Sequence, residues 1–164
     1  MFRNILVCVD GSPQSERALT EAIDLADCQN SRLTILTAIV KPPAWANTPY
    51  TASGIEPMAM ELEREAKQTL CRAVDRVPDC IPVTKILSED PIRDALVEQI
   101  RTGRYDLVVL GTRCRGRSHV PASLRGSVSQ HALHHCRVPV LIVRAEGEGE
   151  QDPSASDQAA TAAV

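Results

Sequence analysis

Five short runs rich in apolar residues alternate along the chain with segments of helical periodicity, and this alternation constrains the fold most strongly. The first run, residues 5–9 (ILVCV), contains no polar residue and ends at Asp10. A continuous apolar run of this length is typical of a strand buried on both faces of a sheet. The other four runs span residues 33–40, 83–87, 107–110 and 138–143. The alternation predicts an α/β protein, in which an open parallel sheet carries helices on both faces.

Helices are expected in the intervals between these runs. The first helix should begin at Pro13, because Ser12 can cap it and proline is favoured at the first helical position. Residues 41–57 contain several prolines and are predicted to form a loop. A second, arginine-rich loop is predicted over residues 112–125. The remaining predicted helices span residues 58–77, 91–100 and 126–136.

Charge divides the chain of 164 residues into a folded part and a tail. Residues 145–164 carry five acidic side chains, no lysine or arginine, and few bulky apolar residues. Such a segment cannot bury enough apolar surface to offset its ordering entropy, so we expect an acidic disordered tail. Residues 1–144 are expected to form a single domain. This domain contains all 18 basic side chains but only 16 of the 21 acidic ones, so it is slightly basic.

Composition excludes some functions and indicates a compartment. The net charge of −3 and the four aromatic residues argue against a protein that coats nucleic acid, because such proteins need a basic surface or stacking rings. No signal peptide and no apolar stretch of membrane-spanning length stand out, so no membrane association is expected. The six cysteines form no C-x-x-C pair, which favours a reduced, cytoplasmic protein. A redox role of Cys114, between two arginines, is left open.

Glycine and serine follow the first and fourth predicted strands, where a parallel sheet binds its ligands. Asp10 ends the first strand, and Gly111 ends the fourth. Gly116, Gly126 and Ser127 then lead into a predicted helix start, whose free N–H groups and dipole favour an anion. The same loop carries four arginines: Arg113, Arg115, Arg117 and Arg125. Neither standard nucleotide-binding loop motif occurs, yet this pattern predicts a site for one small polyphosphate.

Three stretches carry a resemblance to a known family: ILVCVDGSPQSERAL, DLVVLGT and GRSHVPASLRGSVSQHALHHCRVPVLIV. They resemble the universal stress protein family, and the similarity covers residues 3–144. The ATP-binding branch of that family carries the motif G-x2-G-x9-G-[ST]. Here Gly111 and Gly126 are two residues further apart, and the spacing is restored through Gly116 if Cys114-Arg115 is an insertion.

The resemblance implies a Rossmann-like sheet with strand order 3-2-1-4-5 and a bound ATP; whether Mg²⁺ accompanies it is left open. It places Asp10 near the adenine and ribose, with Ala38 lining the base pocket. Gly111 and Gly116 would admit the ribose and phosphates. The helix start would hold the phosphates through Gly126, Ser127, Val128 and Ser129. The resemblance also implies a homodimer that pairs through the last strand, which would otherwise be an apolar edge.

We therefore expect a universal stress protein that binds ATP and acts as a stress-response sensor or regulator. The alternative is a dimeric interaction module of the same family that binds no nucleotide, because one branch lacks the glycine motif. No positioned general base stands out, so no catalytic residue is predicted, while slow ATP hydrolysis remains open. A further protein partner is left open too.

Each candidate also has a purely structural explanation. Asp10 can be a turn-forming residue, Gly111 a strand-end turn, and Gly126-Ser127 a helix cap. The arginine loop can be a solvated surface. Three histidines on the last helix have a spacing that can hold zinc, but a helix-end role is favoured and no metal site is predicted. They are His131, His134 and His135.

Overall fold

The computed structural model describes residues 1–40, 52–112 and 128–144; of residues 52–56 and Gln130 it describes the backbone alone. Within these ranges, nine elements alternate strictly between strand and helix. The strands are β1 (Asn4–Cys8), β2 (Arg32–Ala38), β3 (Val83–Ser88), β4 (Leu107–Gly111) and β5 (Val140–Val143). The helices are α1 (Pro13–Gln29), α2 (Ala52–Asp75), α3 (Ile92–Thr102) and α4 (Val128–His135).

The strands form one parallel sheet in the order β3-β2-β1-β4-β5, which confirms the expected topology. Strand β1 is central, since it pairs with β2 along one edge and with β4 along the other. Each connection between parallel strands must cross over the sheet, and the helices supply these crossovers. The carboxyl ends of β1 and β4 therefore lie side by side at one edge of the sheet.

Two apolar clusters hold the helices against the two faces of the sheet. One cluster joins α1 and α2 to alternate residues of β1, such as Ile5 and Val7. The other joins α3 and α4 to the intervening residues, such as Leu6 and Cys8. Because successive strand residues point to opposite faces, β1 supplies both clusters at once. The continuous apolar run in the sequence follows from this double burial.

The ends of α1 follow the local chemistry of the sequence. Ser12 is the N-cap, and its side chain accepts a hydrogen bond from the Ser15 N–H at 3.2 Å. At the other end, Asn30 adopts the left-handed conformation with φ 56° and donates its N–H to the last turn. Both arrangements satisfy backbone groups that a helix end leaves without partners. Arg76, the residue that follows α2, forms an ion pair with Glu16 in the first turn of α1.

Several boundaries predicted from the sequence are wrong. Residues 52–57 were expected in a loop, but α2 begins at Ala52 and contains Pro57 inside the helix. Proline removes one helical hydrogen bond, and packing of the following apolar face outweighs that single loss. Strand β5 begins at Val140 instead of residue 138, because Pro139 has no N–H for the ladder.

Smaller shifts occur elsewhere. Strand β2 ends at Ala38, two residues early, and α3 runs from Ile92 to Thr102 rather than over residues 91–100. Strand β3 gains Ser88, and α4 ends at His135, one residue early. The predicted start of α4 at residues 126–127 lies outside the described residues, as does the predicted tail. Within the described ranges, no helix has the length and hydrophobicity needed to cross a membrane.

Candidate functional site

A cavity of about 360 Å³ opens at the carboxyl ends of β1, β2 and β4. Its position is the point where strand order reverses from one side of β1 to the other, which is where open α/β sheets bind ligands. Its size falls within the range of small-molecule sites. It is lined by Cys8, Val9, Asp10, Ser12, Gln14, Ser15, Ala38, Ile39, Val40, Pro91, Ile92, Leu110, Gly111, Thr112, Val128 and Ser129.

Asp10 builds a tight turn between β1 and α1. Its Oδ1 accepts hydrogen bonds from the Ser12 N–H at 3.0 Å and from the Ser12 hydroxyl at 2.6 Å. Its backbone N–H donates to the Ser15 hydroxyl at 3.3 Å. Gly11, inside the turn, has a φ of 78°, a conformation that side chains disfavour. Asp10 thus fits the turn-forming explanation, and it also borders the cavity with an exposed carboxylate.

Gly111 lies where the end of β4 packs tightly against the first turn of α1. A Cβ atom at this position would be 2.5 Å from the backbone oxygen of Gln14 and 2.9 Å from the backbone nitrogen of Ser15. Both neighbours are backbone atoms, so they cannot move aside cheaply. Glycine is therefore required here for packing, in addition to any role toward a ligand.

The described part of α4 completes the side of the cavity next to β4. Ser129 is buried, and its hydroxyl donates to the Gly111 carbonyl at 3.2 Å. This bond joins α4 to the end of β4 and holds Val128 and Ser129 against the cavity. The first N–H groups of a helix have no partner within it, and the dipole makes this end attractive to an anion.

The opposite wall is apolar and comes from two elements. Ala38 is the last residue of β2 and pairs with Ser88, and Ile39 and Val40 follow it. The Ile39 N–H donates to the Ser88 carbonyl at 2.8 Å. Pro91 and Ile92, at the start of α3, face the same cavity. An apolar slot of this kind suits a flat, weakly polar ring system.

Cys8, the last residue of β1, is among the residues that line the cavity. Burial, and to a smaller extent the charges of Asp10 and Cys136, raise the pKa of its thiol to about 12. A thiol protonated at neutral pH is a poor nucleophile, so Cys8 is a packing residue. The described cysteines are all free of disulfides.

Five of the eight residues predicted for the site border this cavity. They are Asp10, Ala38, Gly111, Val128 and Ser129. Gly116, Gly126 and Ser127 lie outside the described residues, together with the four loop arginines and Cys114. Sequence reasoning missed the wall formed by Pro91 and Ile92. The signal that could have found it is the position of Pro91 at a helix start that directly follows the third strand.

The cavity and α4 carry few charged or metal-ligating side chains among the described residues. Asp10 is the one formally charged side chain among the described residues that line the cavity. On α4, the rings of His131 and His135 lie with their centroids 4.3 Å apart. Over the described ranges, no group of three or more metal-ligating side chains comes together.

The fold and the cavity define the class of protein: an open, doubly wound α/β protein with a cavity at the point where strand order reverses. The sequence model of the universal stress protein family matches residues 1–144. The chain belongs to this family, so the resemblance seen in the sequence is confirmed.

Curated relatives agree with this assignment. A universal stress protein of Mycobacterium tuberculosis strain H37Rv is 32% identical over 143 residues, covering 85% of this chain and 45% of that protein. A universal stress protein of Thermus aquaticus is 28% identical over 150 residues, covering 88% of this chain and 100% of that protein. The chain thus spans about half the length of the first mycobacterial relatives it matches.

Solved structures share the fold. A universal stress protein from Lactobacillus plantarum has a TM-score of 0.66 at 23% identity, covering 87% of this chain and 97% of that one. One solved in complex with cAMP has a TM-score of 0.52 at 27% identity, with the same coverage of 87% and 97%. One from Arabidopsis thaliana with AMP bound has a TM-score of 0.62 at 16% identity, covering 94% and 97%.

Gly111→Ala tests the packing role of this glycine. The added methyl group would press on the backbone of Gln14, so we expect the free energy of unfolding to fall by about 1–3 kcal/mol. Urea denaturation followed by circular dichroism measures this change. An unchanged free energy of unfolding would contradict the close approach between β4 and α1.

Thiol labelling tests the burial of Cys8. At pH 8 the folded protein should react with iodoacetamide at Cys28, Cys71 and Cys80, which are exposed, and not at Cys8. In denaturant, Cys8 should react as well, because its raised pKa depends on the fold. Peptide mapping by mass spectrometry reads each site, and rapid native labelling of Cys8 would refute its burial.

Proposed function

We propose that this protein binds an adenine nucleotide in the switch-point cavity and acts as a nucleotide-dependent regulator in the stress response. The observation that carries the proposal is the convergence of Asp10, Ala38, Gly111 and the start of α4 on one cavity. Those elements come from distant parts of the chain. The family to which the chain belongs includes structures solved with cAMP or AMP bound, which supports the same ligand class.

One end of the cavity suits the adenine base, and the other end suits the phosphates. The apolar slot between residues 38–40 and the start of α3 suits the adenine ring. The carboxylate of Asp10 is an acceptor suited to ribose hydroxyls. The N-terminal end of α4 suits the phosphates, because its dipole attracts negative charge. In this proposal ATP is the preferred nucleotide, and the loop arginines add the positive charge that its phosphates need.

A pair of substitutions at Asp10 separates ligand binding from turn formation. Asp10→Asn keeps an oxygen that can accept from Ser12, so stability should hold while ATP affinity falls about tenfold through loss of a charged hydrogen bond. Asp10→Ala removes both roles and should also destabilise the fold. Calorimetric titration with ATP, AMP and cAMP measures affinity, and thermal unfolding measures stability.

Asp24→Asn, at an exposed position on α1, is the matched control and should bind as the unaltered protein does. If the unaltered protein binds none of the three nucleotides, the proposal fails and the non-nucleotide interaction module takes its place. Equal affinity in the protein with Asp10→Asn would remove Asp10 from the binding site.

We further propose a homodimer that pairs through β5. This strand is at the edge of the sheet, and all four of its residues are only half-buried in the single chain. An apolar edge strand exposes unpaired backbone groups, and a second copy can cover it. In this arrangement the two sheets continue across a two-fold axis.

Light scattering tests the dimer, which should have twice the 17.8 kDa mass of the chain. Ile142→Lys should shift the protein toward the monomer, because it places a charge in the proposed interface. Val83→Lys places the same charge on the opposite edge strand, β3, and should leave the dimer intact. A monomer mass for the unaltered protein would refute the pairing.

A further inference from the structure

Two histidine rings lie in contact on α4. His131 and His135 are four residues apart, their ring centroids are 4.3 Å apart, and their planes meet at 35°. His131 is half-buried and His135 is exposed. Side chains four residues apart lie on one face of a helix, one turn above the other. This is the spacing at which two helical histidines chelate one metal ion.

We propose that His131 and His135 together bind a divalent transition-metal ion of borderline softness, with Zn²⁺ as the representative. Neutral imidazole is a ligand for such ions, and two imidazoles on one rigid helix reach the same ion without further ordering. Two protein ligands leave the remaining coordination positions to water. We therefore infer an exchangeable site of moderate affinity rather than a structural zinc centre, whose four ligands are all protein groups.

The charged neighbours of the pair come from α3 and α4. Partial burial, then His135 and Arg93, lower the pKa of His131, while Asp94 opposes this effect. A metal ion binds the neutral form of imidazole, because a ring nitrogen must be free of its proton. Asp94 also contributes negative charge near the pair, which partly offsets the repulsion between Arg93 and a bound cation.

The position of the pair along α4 also favours a cation. His135 is the last residue of the helix, where the dipole is negative and attracts positive charge. His134 lies about 60° from His131 and about 100° from His135 around the helix axis, whereas His131 and His135 are only about 40° apart. The ring contact joins His131 and His135. Cys136, next in sequence, packs against the apolar cluster beneath α3 and α4, and burial raises the pKa of its thiol.

The site is separate from the nucleotide cavity. The described residues of α4 that line the cavity are Val128 and Ser129, and neither histidine of the pair is among them. Along the helix axis, His131 lies about 3 Å and His135 about 9 Å beyond Ser129. Metal binding should therefore occur with or without a nucleotide. Failure of the nucleotide proposal leaves this inference standing, and the reverse also holds.

Titration calorimetry with Zn²⁺ tests the pair on reduced, full-length protein that carries no affinity tag. We expect one ion per chain, and His135→Ala should weaken binding about tenfold or more, because a single imidazole loses the chelate. His131→Ala should have the same effect. His134→Ala is the matched control and should leave the affinity unchanged, since it removes a histidine from the same helix and outside the pair.

Co²⁺ provides an independent readout of the ligand type, because exposed Cys28, Cys71 and Cys80 are competing soft ligands. Imidazole ligation gives visible d–d bands without the near-ultraviolet charge-transfer band that thiolate ligation produces. The proposal is overturned by a thiolate band, by absence of Zn²⁺ binding, or by equal weakening in His134→Ala and His135→Ala. Circular dichroism of each variant checks that α4 remains folded.

Discussion

Strand β1 is the constraint on which the rest of the structure depends, because both its faces and both its edges are covered. Ile5, Leu6 and Val7 are completely buried, and β2 and β4 pair with the strand on either side. The interior residues of such a strand have almost no contact with water, so their backbone groups must be paired within the sheet. Since its neighbours are parallel, helices must return the chain over both faces. The carboxyl ends of β1 and β4 are then forced to meet.

At that meeting point the same residues close the fold and form the cavity. Gly111 lets β4 approach the backbone of α1, Ser129 ties α4 to the end of β4, and Asp10 closes the turn through Ser12. Because packing and binding share these residues, a loss of binding in a variant has meaning only beside its measured stability. The cavity belongs to the framework of the sheet and is not an addition to its surface.

Helix α4 presents opposite electrostatic ends to the two proposed ligands. Its first residues border the cavity in which we place the nucleotide phosphates, and its last residue is His135, one of the two proposed metal ligands. The helix dipole favours an anion at the first end and a cation at the second. One short helix, packed against α3 and the end of β4, can therefore serve both sites through the same backbone polarity.

The sequence by itself determined the class of fold, the sheet order through a family resemblance, and five of the residues that line the cavity. Continuous apolar runs and strand-end residues such as Asp10 and Gly111 are local patterns, so they can be recognised within a short stretch of sequence. The start of α2 before Pro57, the wall formed by Pro91 and Ile92, and the reason that Gly111 has no side chain depended on the tertiary structure. Each of these features depends on contact between segments that are far apart in the chain. Tertiary packing decides such contacts, and no local sequence pattern predicts them.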